Sequence, residues 1–138
     1  METKNIDSNK APKPVGLYSH AKQVGNLLFL AGMGPRKRDS KEIPGVTLDE
    51  KGVLIGYDIE PQCHSVFENI KQVLEDAGSS WDKIVDVTVF LIDIKRDFNK
   101  FNEIYADYFK DIKPTRTTVE VSRLPTPIAI ELKVIATI

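Results

Sequence analysis

The last quarter of the chain alternates apolar and polar positions with a period of two. From Ile128 to Ile138, Ile128, Ile130, Leu132, Val134, Ala136 and Ile138 fall on one face of an extended chain. Ala129, Glu131, Lys133, Ile135 and Thr137 fall on the other. Just upstream, Thr115–Val121 is rich in Thr and Val and follows Pro114, which bars a helix from running into it. On this predicted strand Arg116, Thr118 and Glu120 share a face. A different period governs the middle of the chain. Cys63, Val66, Phe67, Ile70, Val73, Leu74 and Ala77 recur at helical spacing. Asp58 is placed to cap this helix, with Glu60 and Pro61 in its first turn and Gly78 as its stop. A second helix is predicted from Asp97 to Phe109, with Phe98, Phe101, Tyr105 and Phe109 on one side. Between the helices, Ile84–Leu91 is nearly all apolar, as a central strand would be.

Towards the N-terminus, Tyr18–Val24 and Leu27–Ala31 read as strands joined by a Gly25-Asn26 turn. Gly32–Gly56, rich in Gly, Pro and charge, reads as a long functional loop with a short strand at each end. It carries the basic triplet Arg36-Lys37-Arg38. Residues 1–14 are polar and broken by prolines, and are predicted to be a flexible tail preceding one domain over 15–138. The order of elements is ββ–loop–α–β–α–β–β. Two amphipathic helices against one mixed sheet make an α+β domain.

Composition narrows the function. The net charge is −1, so nothing general attracts nucleic acid or an anionic membrane. With a single cysteine, Cys63, no intramolecular disulfide forms, and its place on the apolar helix face suggests a buried thiol. Two histidines, His20 and His64, and one cysteine leave too few ligands for a zinc site, and no cofactor motif is present. The His-x-Glu…Pro-Cys-x-x-Cys pattern of zinc deaminases is absent. No apolar run approaches a membrane span, and a cytoplasmic protein is expected.

The candidate chemistry lies in the two terminal strands. A short link, Leu124–Pro127, could bring Arg116 and Glu131 to one cavity. Arg116 would grip a carboxylate with its planar fork, and Glu131 would hold a water or move a proton. The alternative is a solvated ion pair on a sheet surface.

The run Pro114-Thr-Arg-Thr-Thr-Val-Glu-Val-Ser-Arg-Leu-Pro125, followed by Ile128-Ala-Ile-Glu-Leu-Lys-Val-Ile-Ala136, resembles the C-terminal signature of the Rid (YjgF) family of reactive-intermediate deaminases. Gly16-Leu-Tyr-Ser-His-Ala21 and Leu28-Phe-Leu-Ala-Gly-Met33 are similar to two upstream blocks of that family. Gln62, Asn69, Ile70, Leu74, Ala77 and Gly78 match its first helix, and Asn102, Tyr105 and Phe109 its second.

The resemblance implies a chorismate-mutase-like fold, with a mixed sheet and two helices on one face, assembled as a homotrimer with sites between subunits. It implies catalytic roles for Arg116, Glu131 and Tyr18, and a backbone cradle near Gly32. Thr118, where the family has Cys, and His20 and Met33, where it has Gln, are expected at the substrate cavity. The activity implied is metal-independent hydrolysis of enamines and imines to 2-oxo acids and ammonia. The longer basic loop, together with Pro114-Thr-Arg-Thr-Thr118 and Leu124-Pro-Thr-Pro127, most resembles the 2-aminomuconate deaminase branch, whose substrate carries two carboxylates. Arg36 and Arg38 are then expected to receive the second carboxylate. The competing reading is a non-catalytic trimer that binds 2-oxo acids and regulates a partner.

Overall fold

A computed structural model describes all residues, 1–138. Eight strands form in chain order: β1 (Thr3–Ile6), β2 (Ala21–Val24), β3 (Leu27–Leu30), β4 (Val46–Leu48), β5 (Leu54–Tyr57), β6 (Ile84–Leu91), β7 (Thr115–Glu120) and β8 (Ile130–Thr137). Helix α1 spans Ile59–Asp76 and α2 spans Ile94–Phe109. The main sheet has the order β1-β2-β3-β8-β6-β7, while β4 and β5 form a separate two-stranded ribbon. All pairs in the main sheet are antiparallel except β6 with β7, which are parallel. That parallel pair needs a crossover, and α2 supplies it.

Both helices are capped as their sequences dictate. Asp58 accepts from the Glu60 amide at the start of α1, and Asp93 from the Arg96 amide at the start of α2. The second cap places the start of α2 at Ile94, three residues before the expected Asp97. Asp97 is instead buried and accepts a 2.6 Å hydrogen bond from the Tyr57 hydroxyl. The two helices meet over an aromatic cluster. The Phe67 ring lies 4.5 Å from Tyr108 and 5.7 Å from Phe109, and Tyr105 stacks on Phe109 at 4.2 Å.

The predicted alternation of β8 holds. Ile130, Leu132, Val134 and Ala136 are fully buried against the helices, while Glu131, Lys133, Ile135 and Thr137 are only partly covered. Both helices pack on one face of the sheet, and the other face is left open. Cys63 is fully buried in α1, where desolvation pushes its thiol up to about 12. His64 is half-buried and meets the Tyr108 hydroxyl at 2.6 Å.

Two expectations need correction. The short strands expected at the two ends of the long loop both lie in its second half: it folds back as the β4–β5 ribbon, turning at Asp49, whose carboxylate accepts from the Lys51 and Val53 amides. Residues 1–14 are not a flexible tail. Thr3–Ile6 adds an edge strand to β2, and Ile6, Ser8 and Ala11 are buried. Three side chains hold this segment. His20 Nδ1 accepts from the Ser8 amide at 2.9 Å, and its Nε2 donates to the Pro12 carbonyl at 2.7 Å. The Ser8 hydroxyl donates to Asp76 at 2.5 Å. Arg38 donates to the carbonyls of Ser8 and Ala11, at 3.1 and 2.8 Å. The polar composition misled because these residues are satisfied by specific partners rather than by water.

Arg38→Ala should therefore cost stability of about 1.5–3 kcal/mol, the range for hydrogen bonds to a charged group. Urea unfolding measures it. Unchanged stability would show that Arg38 does not hold the segment.

Candidate functional site

Cross-strand partners share a face of a sheet. Arg116 and Thr118 pair with Val87 and Val89, both fully buried beneath the helices. Glu131 pairs with Phe90, which points the opposite way. The alternation therefore puts Arg116 on the helix side and Glu131 on the open side. The single chain does not bring them to one cavity, and the link Leu124–Pro127 does not change that parity.

On the open side lies a cavity of about 880 Å³. Its floor is the open face of β3 and β8, with Phe29, Glu131 and Lys133. Its walls include Tyr18, Gly32, Arg36 and Ile128. Tyr18 is 46% exposed, and its hydroxyl accepts from the Val15 amide at 3.1 Å, which fixes the ring at the mouth. Gly32 lets the Glu131 carboxyl approach closely: a Cβ there would lie 2.7 Å from Glu131 Oε2 and would displace it. The carboxyl is thus laid directly on the backbone at Gly32. Its neighbours Ala31 and Met33 donate their amides to His20 and Leu132 carbonyls, and the Gly32 amide has no partner within the chain. Burial raises the Glu131 carboxyl above the ordinary glutamate range, and no nearby charge offsets it.

One residue of this cavity was missed by the sequence reading. Lys133 stands two positions from Glu131 on the same strand face, and its ammonium donates to the Leu30 carbonyl. Burial lowers it below the usual lysine range. The signal was in the alternation, which had assigned Lys133 and Glu131 to one face.

Arg116 occupies a second cluster. Its guanidinium donates to Asn102 Oδ1 at 2.9 Å and lies over the rings of Tyr105, Phe101 and Phe98, at 4.6, 5.5 and 5.9 Å. Two hydroxyls buried in this part of the structure, Tyr105 Oη and Thr118 Oγ1, have no hydrogen-bond partner. Burial pushes the Tyr105 phenol up to about 12, against the lowering effect of Arg116. Most of the five guanidinium donors remain free.

Three expected cavity residues lie elsewhere. His20 and Met33 are each 4% exposed. They touch only a narrow annex of about 30 Å³ behind Tyr18, which holds water at most. His20 is committed to the N-terminal segment, and Met33 packs into the core through its bridge to Leu132. Arg38 turns away to the same segment. Arg36 does line the cavity, while donating to the Lys13 carbonyl at 2.9 Å. Lys37 pairs with Glu68 outside it. No group of three or more His, Cys, Asp or Glu is arranged to hold a metal ion. No helix is long and apolar enough to cross a membrane.

This arrangement of sheet and helices has known counterparts. Residues 8–138 match the sequence family described as endoribonuclease L-PSP. A RutC family protein of Pyrococcus abyssi is 45% identical, over 99% of this chain and 98% of that protein. A Rid family protein, YyfA of Yersinia pestis, superposes with a TM-score of 0.83 at 38% identity, covering 99% of this chain and all of that one. The chain belongs to the Rid (YjgF) family. Another member, Escherichia coli TdcF with bound serine, superposes with a TM-score of 0.82 at 31% identity, over 98% of both chains. The α+β architecture expected from the resemblance is the architecture of these relatives.

The Rid carboxyl at position 131 sets a pH dependence. Its raised pKa means that the folded chain keeps this proton to higher pH than the unfolded chain. Stability therefore falls as pH rises from the ordinary glutamate value, about 4.3, through the higher folded value. Glu131→Gln has no such proton. Its melting temperature should match wild type in acid and exceed it at neutral pH, as read by calorimetry. A constant difference across that window would mean that Glu131 is not desolvated.

Proposed function

We propose that the chain is a hydrolytic deaminase of reactive imines and enamines, independent of metals, that works as a homotrimer with each site shared between subunits. The observation that carries this reading is the division of the chemistry. A carboxylate-gripping arginine and a desolvated carboxyl sit on opposite faces of one sheet, each lacking a charged partner. A second copy that laid its open face near Arg116 on the edge strand β7 would join the two halves. One sheet face without helices leaves room for such packing.

In this reading Arg116 holds the α-carboxylate of the substrate. Water adds to the imine carbon, and Glu131, ionised, takes its proton as the C–O bond forms. Glu131 passes that proton to the nitrogen, giving the carbinolamine, and then carries the hydroxyl proton to the nitrogen as well, so that the carbonyl forms, the carbon–nitrogen bond breaks and ammonia leaves. A raised pKa brings the carboxyl closer to the working pH, which suits a group that must both accept and give a proton. The free Gly32 amide would bind an oxygen of the substrate or the carbinolamine. Tyr18 would close the mouth and offer its hydroxyl. Thr118 would support Arg116 from the next position on the same face. Serine bound to TdcF agrees with a ligand of amino-acid size and charge. The narrower substrate, a dicarboxylic enamine such as 2-aminomuconate, rests on the basic loop, and there it rests on Arg36 alone.

Ammonia release from imines generated in place by an amino-acid oxidase tests the reaction. Arg116→Lys keeps the charge and loses the fork, and should raise KM strongly while the protein stays folded. Glu131→Gln should lower kcat more than it changes KM. No ammonia above the spontaneous rate would leave a binding module as the reading.

Sharing of sites has its own test. Light scattering should give about three chain masses. Arg116→Ala and Glu131→Gln, each inactive alone, should regain part of the wild-type rate after co-refolding, because mixed assemblies contain sites with both native groups. Absence of any recovery, with mixed assemblies verified by mass, would place each site within one chain.

A further inference from the structure

Glu131 and Lys133 project from the same face of β8, two residues apart, into the same cavity. They do not pair. No ion pair within 4.0 Å joins them to each other, and none joins either to a third residue. A half-buried ammonium normally has a carboxylate partner, because desolvation is otherwise uncompensated. Lys133 has only the Leu30 carbonyl, a neutral dipole. Around the same cavity stand two other cations: Lys22 on β2, which is exposed, and Arg36, less exposed, which spends one nitrogen on the Lys13 carbonyl and keeps the rest free. Asp7 lines the cavity too, without an ion pair to either.

From this geometry we infer that Lys133, with Arg36, forms an anion subsite that receives a second, distal carboxylate of the ligand. The cavity floor positions the pieces. Glu131 stands beside Gly32 at one point of β8, and Lys133 stands one pleat further along, about 7 Å away on the same face. A four- to six-carbon dicarboxylate spans that length, reaching from the reacting carbon near Glu131 to the ammonium at Lys133. An incoming carboxylate gives Lys133 the counter-charge it lacks and leaves Glu131 free for water. A ligand with one carboxylate fills the first position only. Lys133 is therefore a specificity residue, and the narrower substrate class rests on β8 together with Arg36, the other two members of the loop triplet, Lys37 and Arg38, being engaged elsewhere.

The kinetic arm of the test rests on the deaminase reading. Ammonia release is measured for imines made from a monocarboxylic and a dicarboxylic amino acid, in wild type, Lys133→Met and Lys133→Arg. The dicarboxylate-to-monocarboxylate ratio of kcat/KM should fall about 10- to 100-fold in Lys133→Met, the equivalent of one charged hydrogen bond. Lys133→Arg should restore most of it. A structural role would not move this ratio or respond to arginine. The binding arm is independent of catalysis: calorimetry with 2-oxoglutarate and 2-oxobutyrate as probes. Wild type should bind 2-oxoglutarate more tightly, and Lys133→Met should remove the difference. If both substrate classes fall together, or neither changes, the subsite is overturned. If no form releases ammonia, the deaminase reading fails and calorimetry alone decides. Selective loss of 2-oxoglutarate binding then sustains the subsite, and equal affinity of wild type for both probes overturns it.

Discussion

Strand β8 lies between β3 and β6, and the rest of the site depends on its alternation. Its apolar side chains at 130, 132, 134 and 136 are locked beneath the helices. Burying that row fixes the register, since a slip of one residue would drive Glu131 and Lys133 into the core. The same constraint passes through β6 to β7 and sets Arg116 on the helix side. A fold held by one buried face thus places an acid and a lysine on one side of a sheet and an arginine on the other. No loop rearrangement within the chain can reunite them, because side-chain parity belongs to the sheet as a whole.

Polar groups left without partners mark both sides of that division. Tyr105 Oη and Thr118 Oγ1 lie on the Arg116 side. The Gly32 amide and the Glu131 carboxyl lie on the other, beside Lys133, whose partner is the Leu30 carbonyl alone. Elsewhere most buried polar groups are satisfied, Gln62 Nε2 in α1 being the exception. Asp97 accepts from Tyr57 and sits 3.5 Å from Arg96, whose guanidinium in turn stacks 3.9 Å over the Tyr57 ring. Ser65 and Asn69 donate to carbonyls of the loop at Pro35, Gly34 and Arg36. An unpaired buried group costs stability. Two of the three such side-chain groups, Tyr105 Oη and Thr118 Oγ1, are hydroxyls on the Arg116 side, where a ligand's polar atoms would pair them.

Much of this was legible in the sequence. The helices, the central strand Ile84–Leu91 and the two faces of β8 followed from period and caps, since burial of an apolar row is what those periods encode. The family blocks carried the architecture and named Tyr18, Gly32, Arg116 and Glu131. What the sequence hid was pairing. Residues 1–14 are polar, yet they are fastened by His20, Arg38 and Asp76, each distant in sequence and none announced by spacing. For the same reason His20 and Arg38 were misplaced at the cavity. Their position in a motif or a basic run says nothing of a carbonyl that folds back to meet them. Met33 was misplaced because one irregular bridge beyond β3 turned it into the core. The opposed faces of Arg116 and Glu131 were within reach, but only once the order of strands was known, since parity between two strands is set by the strand that lies between them.

The open face joins the two halves of the argument. It carries Leu27, Val85 and Val119, each more than a third exposed, beside the desolvated pair at 131 and 133. Apolar exposure of this kind favours covering by another surface. Covering would also exclude water from the cavity, and desolvation acts on every group inside it. The Glu131 carboxyl would rise further and the Lys133 ammonium would fall further. A substrate that brings its own charge reverses the second of these. An arriving carboxylate supplies the counter-charge that Lys133 lacks and favours its charged form. Assembly and ligand thus act in opposite directions on the same lysine: covering the face strips its water, and a ligand's carboxylate replaces what that water gave.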